Sequence, residues 1–187
     1  MIQRHMYYGY IDEEKVRLNF GSEAEHVFLS EYNGIAFMYF ETNDKKINPD
    51  KFTISGIREL NGVKWHTMPE IFHYSYPLGT EHWKRKLKDK QPYMKVGILH
   101  KEMVAKYIYY HYILQESKPA IGDKYGAIFL CNNMIVFYHE SPAEKETENF
   151  NGEMIDMDND ELLKRLGELP YCEKHFELIE KLDFISD

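Results

Sequence analysis

The sequence predicts a single α+β domain over residues 1–187, made of two βαββ (ferredoxin-like) units in a mainly antiparallel sheet and a C-terminal helical pair. Two observations predict this fold class. Short aromatic and β-branched runs end at Gly, Asn or Pro, which is typical of strands. The order strand, helix, hairpin occurs in both halves, residues 1–90 and 91–141, which is the pattern of an internal duplication, although common βαββ geometry could also produce it.

The first unit begins with a strand, Met6 to Ile11, because this run is almost entirely apolar or aromatic. Asp12, Glu13 and Glu14 follow it, and acidic residues are typical of the first turn of a helix. The sequence therefore predicts a short helix that ends at Gly21.

A β-hairpin is the clearest local prediction. Asn33-Gly34 is the residue pair that favours a type I′ turn, and it separates the apolar runs Val27 to Tyr32 and Ile35 to Phe40. A second pair, Asn61-Gly62, predicts another and more exposed hairpin.

The remainder of the first half is less regular. Thr67 to Pro77 contains two prolines and several aromatic residues without a clear period, so we predict an irregular segment that lies over the core. Thr80 then caps a helix that Pro92 ends.

The second unit repeats the order of the first. We predict a strand at Met94 to Leu99, a long helix at Lys101 to Glu116, and a hairpin of Tyr125 to Leu130 with Met134 to His139.

Residues 142–187 are predicted to be an acidic connector followed by two helices. The first is Glu161 to Glu168, and the second carries Phe176, Ile179 and Leu182 at helical spacing.

Charge and composition limit the partners. The chain has 23 Lys and Arg against 31 Asp and Glu, a net charge of −8, which disfavours nucleic acid because phosphate attraction would need a local basic patch. Neither a secretory signal nor an apolar run of membrane-spanning length is apparent, so we expect a soluble, cytoplasmic protein. Cys131 and Cys172 fit reduced, buried thiols better than a disulfide.

The predicted helix around residues 103–114 is apolar or aromatic around nearly its whole circumference, so we expect it to be covered on more than one side, with a homodimer more probable than a monomer. If a pocket lies beside it, Tyr107, Tyr110 and His111 would face His73, Tyr74 and Tyr76. In that pocket His111 or His73 would transfer a proton or anchor the ligand, and the tyrosines, with His66, would bind it. The alternative is that these residues are plain core.

A metal site is a further alternative. His66, Glu70 and His73 have the spacing of ligands on one helix, but Pro69 lies between them and disfavours that helix. The usual glycine-rich, zinc and nucleophile motifs are absent from the sequence.

Two pairs of segments carry a fold-level resemblance. Gly9-Tyr10-Ile11 corresponds to Gly97-Ile98-Leu99, and Asn33-Gly34-Ile35 to Asn133-Met134-Ile135. Over residues 4–42 and 94–140 the chain resembles ferredoxin-like domains and the α+β-barrel proteins built from them.

That resemblance implies a cavity of the kind used by small-molecule monooxygenases, isomerases, mutarotases and haem-handling proteins. The leading hypothesis for function is a small-molecule-binding protein or modest enzyme. A protein–protein interaction module without catalysis and a haem- or metal-binding protein are the alternatives, and the sequence identifies no particular cofactor.

Overall fold

The computed structural model describes residues 1–13, 15–43, 47–117, 122–146, 164 and 171–186. Within them the protein is mainly β, with three largely antiparallel sheets and a single helix longer than four residues, Val104–Ser117. The predicted ferredoxin-like βαββ units and C-terminal helical pair are therefore wrong.

The strands are β1 (Ile2–Ile11), β2 (Val16–Leu18), β3 (Glu25–Tyr32), β4 (Ile35–Asn43), β5 (Thr53–Ser55), β6 (Ile57–Arg58), β7 (His66–Thr67), β8 (Glu70–His73), β9 (Gln91–Leu99), β10 (Ala127–Cys131), β11 (Met134–Ser141), β12 (Cys172–Leu178), β13 (Glu180–Lys181) and β14 (Phe184–Ser186). The helices are α1 (Thr80–Trp83) and α2 (Val104–Ser117), with 3-10 turns at Pro49–Phe52 and Lys101–Met103.

The chain folds into two compact units. The first consists of Met1–Met68, Pro77–Lys84 and Ile179–Asp187, and the second of Pro69–Tyr76 and Arg85–Leu178. The predicted boundaries at residues 90 and 141, and the single domain they belong to, stay predictions.

The first unit contains a sheet of strand order β13-β3-β4-β1-β6, and β7 also pairs with β1. A smaller sheet has the order β14-β2-β5, in which β14 and β2 run parallel. Buried residues from both sheets, such as Leu18, Met38 and Phe40, form one core. Its apolar burial is the main favourable contribution to the folding of this unit.

Local turn chemistry decides the first hairpin. Asn33 and Gly34 have φ of 52° and 78°, the left-handed values that a type I′ turn requires, and β3 and β4 pair around them. That prediction is confirmed. Asn61 and Gly62 also form a left-handed turn, but the flanking strands pair only through a single bridge between Leu60 and Val63.

The helix predicted after Asp12 is wrong, because Val16 to Leu18 forms β2. Val16 and Leu18 are buried and Arg17 is exposed, which is the two-residue period of a strand. The acidic residues before β2 are typical of a helix start, but the alternating apolar residues that follow them form a strand.

The second unit contains one sheet, of order β12-β9-β11-β10-β8, and α2. The helix packs its buried residues against one face of this sheet, where Leu99, Ile128 and Ile135 form a common core with Tyr107 and Ile113. No helix in the described part of the chain is long and apolar enough to span a membrane.

Two further helix predictions are corrected. The helix from Thr80 ends at Trp83, and Pro92 lies within β9. Phe176 lies in β12, where side chains alternate in burial along a strand instead of following a helical period. The predicted helix Glu161 to Glu168 lies outside the described residues, apart from Lys164.

Two other expectations also change. The predicted irregular segment from Thr67 contains the short strand β8. Cys131 and Cys172 are free and half-buried, and Cys172 lies in a strand, not in a helix.

The expectation that α2 is covered on more than one side stays a prediction, because one flank of the helix is exposed in the single chain. Tyr107, His111 and Ile113 are buried, but Tyr109 and Tyr112 are 58% and 53% exposed. Three residues at about 100° each turn the helix by about 300°, so the two side chains point only about 60° apart. They therefore lie on one outer flank of the helix. The helix has one buried side and one aromatic exposed side.

Candidate functional site

His111, the predicted catalytic residue on α2, is packed into the core of the second unit. Its Nδ1 donates a hydrogen bond to the carbonyl oxygen of Tyr107 at 2.9 Å, and its ring lies 5.2 Å, edge to face, from that of Phe72. Burial lowers the pKa of His111 to about 4, although the hydrogen bond to Tyr107 opposes the shift. The imidazole is therefore neutral near pH 7.

The predicted ligand-binding tyrosines of α2 surround one buried ring. Tyr107 and Tyr110 lie edge to face with Tyr171, at 5.8 and 6.4 Å between ring centroids. Burial raises the pKa of Tyr107, so its hydroxyl stays protonated. These contacts are those of a packed aromatic core.

His73 does not meet His111. Phe72 is the residue of β8 whose ring contacts His111. His73 Nδ1 instead donates to Glu70 Oε1 at 2.7 Å, and the His73 ring lies 5.9 Å from that of Tyr76.

The other two predicted site residues lie apart from each other. Tyr74 packs edge to face on Phe72 at 4.9 Å, within the core of the second unit. His66 belongs to the first unit, where it stacks on Tyr8 at 5.1 Å. The roles assigned to the predicted residues stay predictions, but the structure joins only Tyr74, Tyr107, Tyr110 and His111 in one cluster.

The metal alternative finds no support in the described residues. Among them, no three His, Cys, Asp or Glu side chains come close enough together to hold an ion. His66 and His73 also belong to different units.

A row of rings that sequence reasoning missed crosses the same sheet face beyond α2. This aromatic strip comprises Tyr74, Tyr93, Phe137, His139 and Phe176, all of them half-buried. His139 stacks with Tyr93, with centroids 5.6 Å and planes 26° apart, and with Phe137, at 5.0 Å and 15°. Phe137 lies 6.0 Å from Phe176 and 6.5 Å from Tyr74. The strip therefore runs from β12 through β9 and β11 to Tyr74, which directly follows β8.

Strand register builds the strip. β9 and β11 pair so that Tyr93 lies opposite His139 and Lys95 opposite Phe137. Residues directly opposite each other have side chains on the same face of a sheet, so the rings and the Lys95 ammonium share one surface.

Two glycines hold Tyr74 at its end of the strip. A Cβ on Gly126 would lie 2.9 Å from Tyr74 Cδ2, and a Cβ on Gly122 would collide with the same ring. The absence of side chains at these positions is what lets the tyrosine ring lie flat against the backbone.

His139 is the polar group within the strip. Its Nε2 is buried and has no hydrogen-bond partner among the described residues. Burial lowers the pKa of His139, and the positive charge of Lys95 acts in the same direction. The imidazole is therefore neutral, and its Nε2 is closed to solvent.

A buried charged cluster is the second feature that sequence reasoning missed. It contains three cations and three carboxylates: Arg85, Lys90, Lys124, Asp123, Glu140 and Glu144. Arg85 pairs with Glu140 at 2.6 Å, and Lys90 pairs with Asp123 at 2.9 Å. Equal numbers of opposite charges make this cluster neutral.

The carboxylates of the cluster also satisfy backbone groups. Asp123 accepts hydrogen bonds from the backbone N–H of Glu140 and Glu144, at 2.9 and 2.8 Å. Burial opposes ionisation of Glu144, but the backbone N–H of Lys86 and Leu87 and the ammonium of Lys124 together hold its pKa below the ordinary value. The cluster thus links three segments of the second unit through ion pairs and hydrogen bonds: residues 85–90, 123–124 and 140–144.

Tyr125 lies at the centre of the cluster. Arg85 Cζ, Lys90 Nζ and Lys124 Nζ lie 4.0, 5.0 and 5.1 Å from its ring centroid. The tyrosine is fully buried, so a substrate cannot reach it. We therefore assign the charged cluster a structural role.

Comparison of the chain with protein-family models, with the curated proteins and with the solved structures finds no match. The function is therefore inferred from the described residues themselves.

Proposed function

We propose that the protein binds a small molecule with a flat ring system on the aromatic strip of its second unit. The observation that carries the proposal is the half-buried row of stacked rings formed by Tyr93, His139 and Phe137. Ligand sites are commonly lined by aromatic side chains with a small number of polar groups among them.

Ring geometry explains why the ligand is flat. The faces of His139 stack on Tyr93 and Phe137, so the rings offer their edges to an incoming molecule. Ring edges carry the positive end of the aromatic quadrupole, and they attract the negative face of another ring. Each edge-to-face contact contributes about 1 kcal/mol beyond the area that is buried.

The site differs from the one predicted around His111 and His73. His111 already donates Nδ1 to Tyr107, and His73 Nδ1 donates to Glu70. Tyr74 is the residue that the two sites share.

Ligand-induced changes in melting temperature test the proposal. We would screen ring compounds, such as 1-naphthalenemethanol, against wild-type protein, Tyr93→Leu and the control variant Tyr109→Leu, which alters an exposed tyrosine of α2. Wild type and Tyr109→Leu should be stabilised, and Tyr93→Leu should lose most of the shift because it lacks one ring of the strip.

Equal shifts in all three proteins would place binding elsewhere and contradict the proposal. A complete absence of shifts, in screens that also include naphthalene-sized anions and cations, would show that the strip is plain core.

The outer flank of α2 favours self-association as a second role. Tyr109 and Tyr112 are exposed, and tyrosines are frequent hot spots of protein interfaces. The occupant we propose is a second copy of the chain. In an antiparallel pair of α2 helices, Tyr109 would contact the partner's Tyr112, and Lys106 would lie near the partner's Glu116, so the surface is complementary to itself.

Sedimentation equilibrium tests this second role. Wild-type protein should form a weak dimer, since one pair of short helices buries less than the roughly 800 Å² per partner of a stable interface. Tyr112→Ala should be monomeric, and Tyr76→Ala, which changes another exposed tyrosine, should dimerise like wild type. A monomeric wild type at millimolar concentration would contradict the proposal.

A further inference from the structure

Lys95 differs from the other lysines that are shielded in the second unit. Lys90 pairs with Asp123 at 2.9 Å and Lys124 with Glu144 at 3.3 Å. Lys95 is half-buried on β9, and it forms no ion pair with any of the described residues. The described residues therefore offer the Lys95 ammonium no carboxylate as a counter-ion.

The position of Lys95 connects it to the strip. It lies opposite Phe137 in the β9–β11 pair and two residues from Tyr93, so its side chain leaves the sheet on the same face as the rings. On the neighbouring strand β12, its cross-strand partner is Leu178, which brings no charge.

Among the described residues, three charged side chains act on the imidazole of His139: Lys95, Lys90 and Asp123. Lys90 and Asp123 pair with each other, so they nearly cancel. The remaining positive charge of Lys95 favours an anion on this part of the sheet.

We infer that the ligand of the aromatic strip is a planar ring compound that carries a negatively charged oxygen group, such as a carboxylate, with Lys95 as its counter-ion. This inference rests on the proposed function and names the class of ligand. The rings of Tyr93, His139 and Phe137 hold the flat part of the molecule.

Isothermal titration with two matched probes tests the charge. 1-Naphthoate and neutral 1-naphthalenemethanol share a ring system and differ in the anionic group. Wild-type protein should bind 1-naphthoate about tenfold more tightly, which is the lower end of the effect of a charge-assisted hydrogen bond. Lys95→Gln should bind both probes equally, and Lys101→Gln, which removes an exposed lysine outside the strip, should retain the preference.

Salt dependence provides a measurement that needs no variant. The affinity of wild-type protein for 1-naphthoate should fall as ionic strength rises, whereas that for the neutral probe should not, since salt screens only the charged contact.

The outcomes separate the two proposals. Equal affinity of wild-type protein for the two probes would overturn the anionic ligand and leave ring binding intact. A preference that survives in Lys95→Gln would remove Lys95 as the counter-ion and overturn the inference. Failure of both probes to bind would overturn the inference together with the proposed function.

Discussion

At the scale of single residues, His111 shows how burial turns a candidate catalyst into a source of pH-dependent stability. The folded protein holds His111 neutral down to about pH 4, whereas a histidine in the unfolded chain has its ordinary pKa of about 6.5. Below pH 6.5 the unfolded state therefore binds more protons than the folded state. Stability is present above this pH and falls as the pH drops toward 4.

We expect the free energy of unfolding to decrease by about 3 kcal/mol between pH 7 and pH 4 from His111 alone. Urea denaturation at a series of pH values would measure it. His111→Phe should flatten the profile, and the exposed control His175→Phe should not. An unchanged profile in His111→Phe would show that this imidazole is protonated in the folded protein.

The charged cluster gives a second prediction for single residues. Glu140 is 4% exposed and is the counter-ion of Arg85 at 2.6 Å. Glu140→Gln would leave this guanidinium without its charge partner, which should cost about 3 kcal/mol of stability in denaturant unfolding.

A surface ion pair provides the control for that variant. Glu173 pairs with His100 at 3.7 Å while about half exposed, so Glu173→Gln should change stability by less than about 0.5 kcal/mol. Equal costs for Glu140→Gln and Glu173→Gln would contradict the structural role of the buried cluster.

At the scale of elements, α2 is the one long helix that the sequence predicted, and its two sides should respond differently to truncation. Tyr107→Ala empties a buried position and should destabilise the protein by about 3 kcal/mol or more. Tyr109→Ala removes an exposed ring and should cost less than about 0.5 kcal/mol. Thermal unfolding of the two variants measures the difference, and a large cost for Tyr109→Ala would mean that this flank is covered.

Elements fixed by local chemistry could be predicted, and those fixed by distant partners could not. Asn33-Gly34 determines its own turn because its residues adopt positive φ easily. β2 contains only three residues, and its partners β5 and β14 lie far away in the chain, so its alternation is too short to identify it from the sequence.

The aromatic strip was missed for the same reason. Tyr93 and His139 become neighbours only through the register of β9 and β11. The sequence signal that could have found them is the alternation of rings along one strand, as at Phe137 and His139, once that strand was paired correctly.

At the scale of the whole molecule, the sheet that contains β1 and β4 and the sheet that contains β9 and β11 share features that favour the predicted duplication. Each has a glycine at the same place in its central pair, Gly9 opposite Ala36 and Gly97 opposite Ile135. The turn of the second hairpin is Asn132-Asn133, so the correspondence is shifted by one residue from the one read in the sequence.

Each central pair also carries the same hydrogen bond. The hydroxyl of Tyr39 donates to Glu41 at 2.7 Å, and that of Tyr138 donates to Glu140 at 2.9 Å. The repeated unit consists of strands without a helix in the first half, so the duplication stays a prediction with a different fold.

The C-terminal region should be required for folding of the whole chain. A protein that ends at Ser141 would lack β12, β13 and β14, and it would also lose Glu144 from the charged cluster. We expect it to lose the cooperative thermal transition in circular dichroism, because strand pairing in all three sheets is affected. A cooperative transition near that of the full chain would show that these strands are dispensable.

The aromatic strip as a ligand surface is tested most directly by NMR of the histidine rings. Protein labelled with ¹³C at the histidine Cε1 would be titrated with 1-naphthoate, and the signals assigned with His139→Gln and His111→Gln. The signal of His139 should shift with saturation while that of His111 stays in place. A shift at His111 or His73 with none at His139, or no shift at any histidine, would contradict the account.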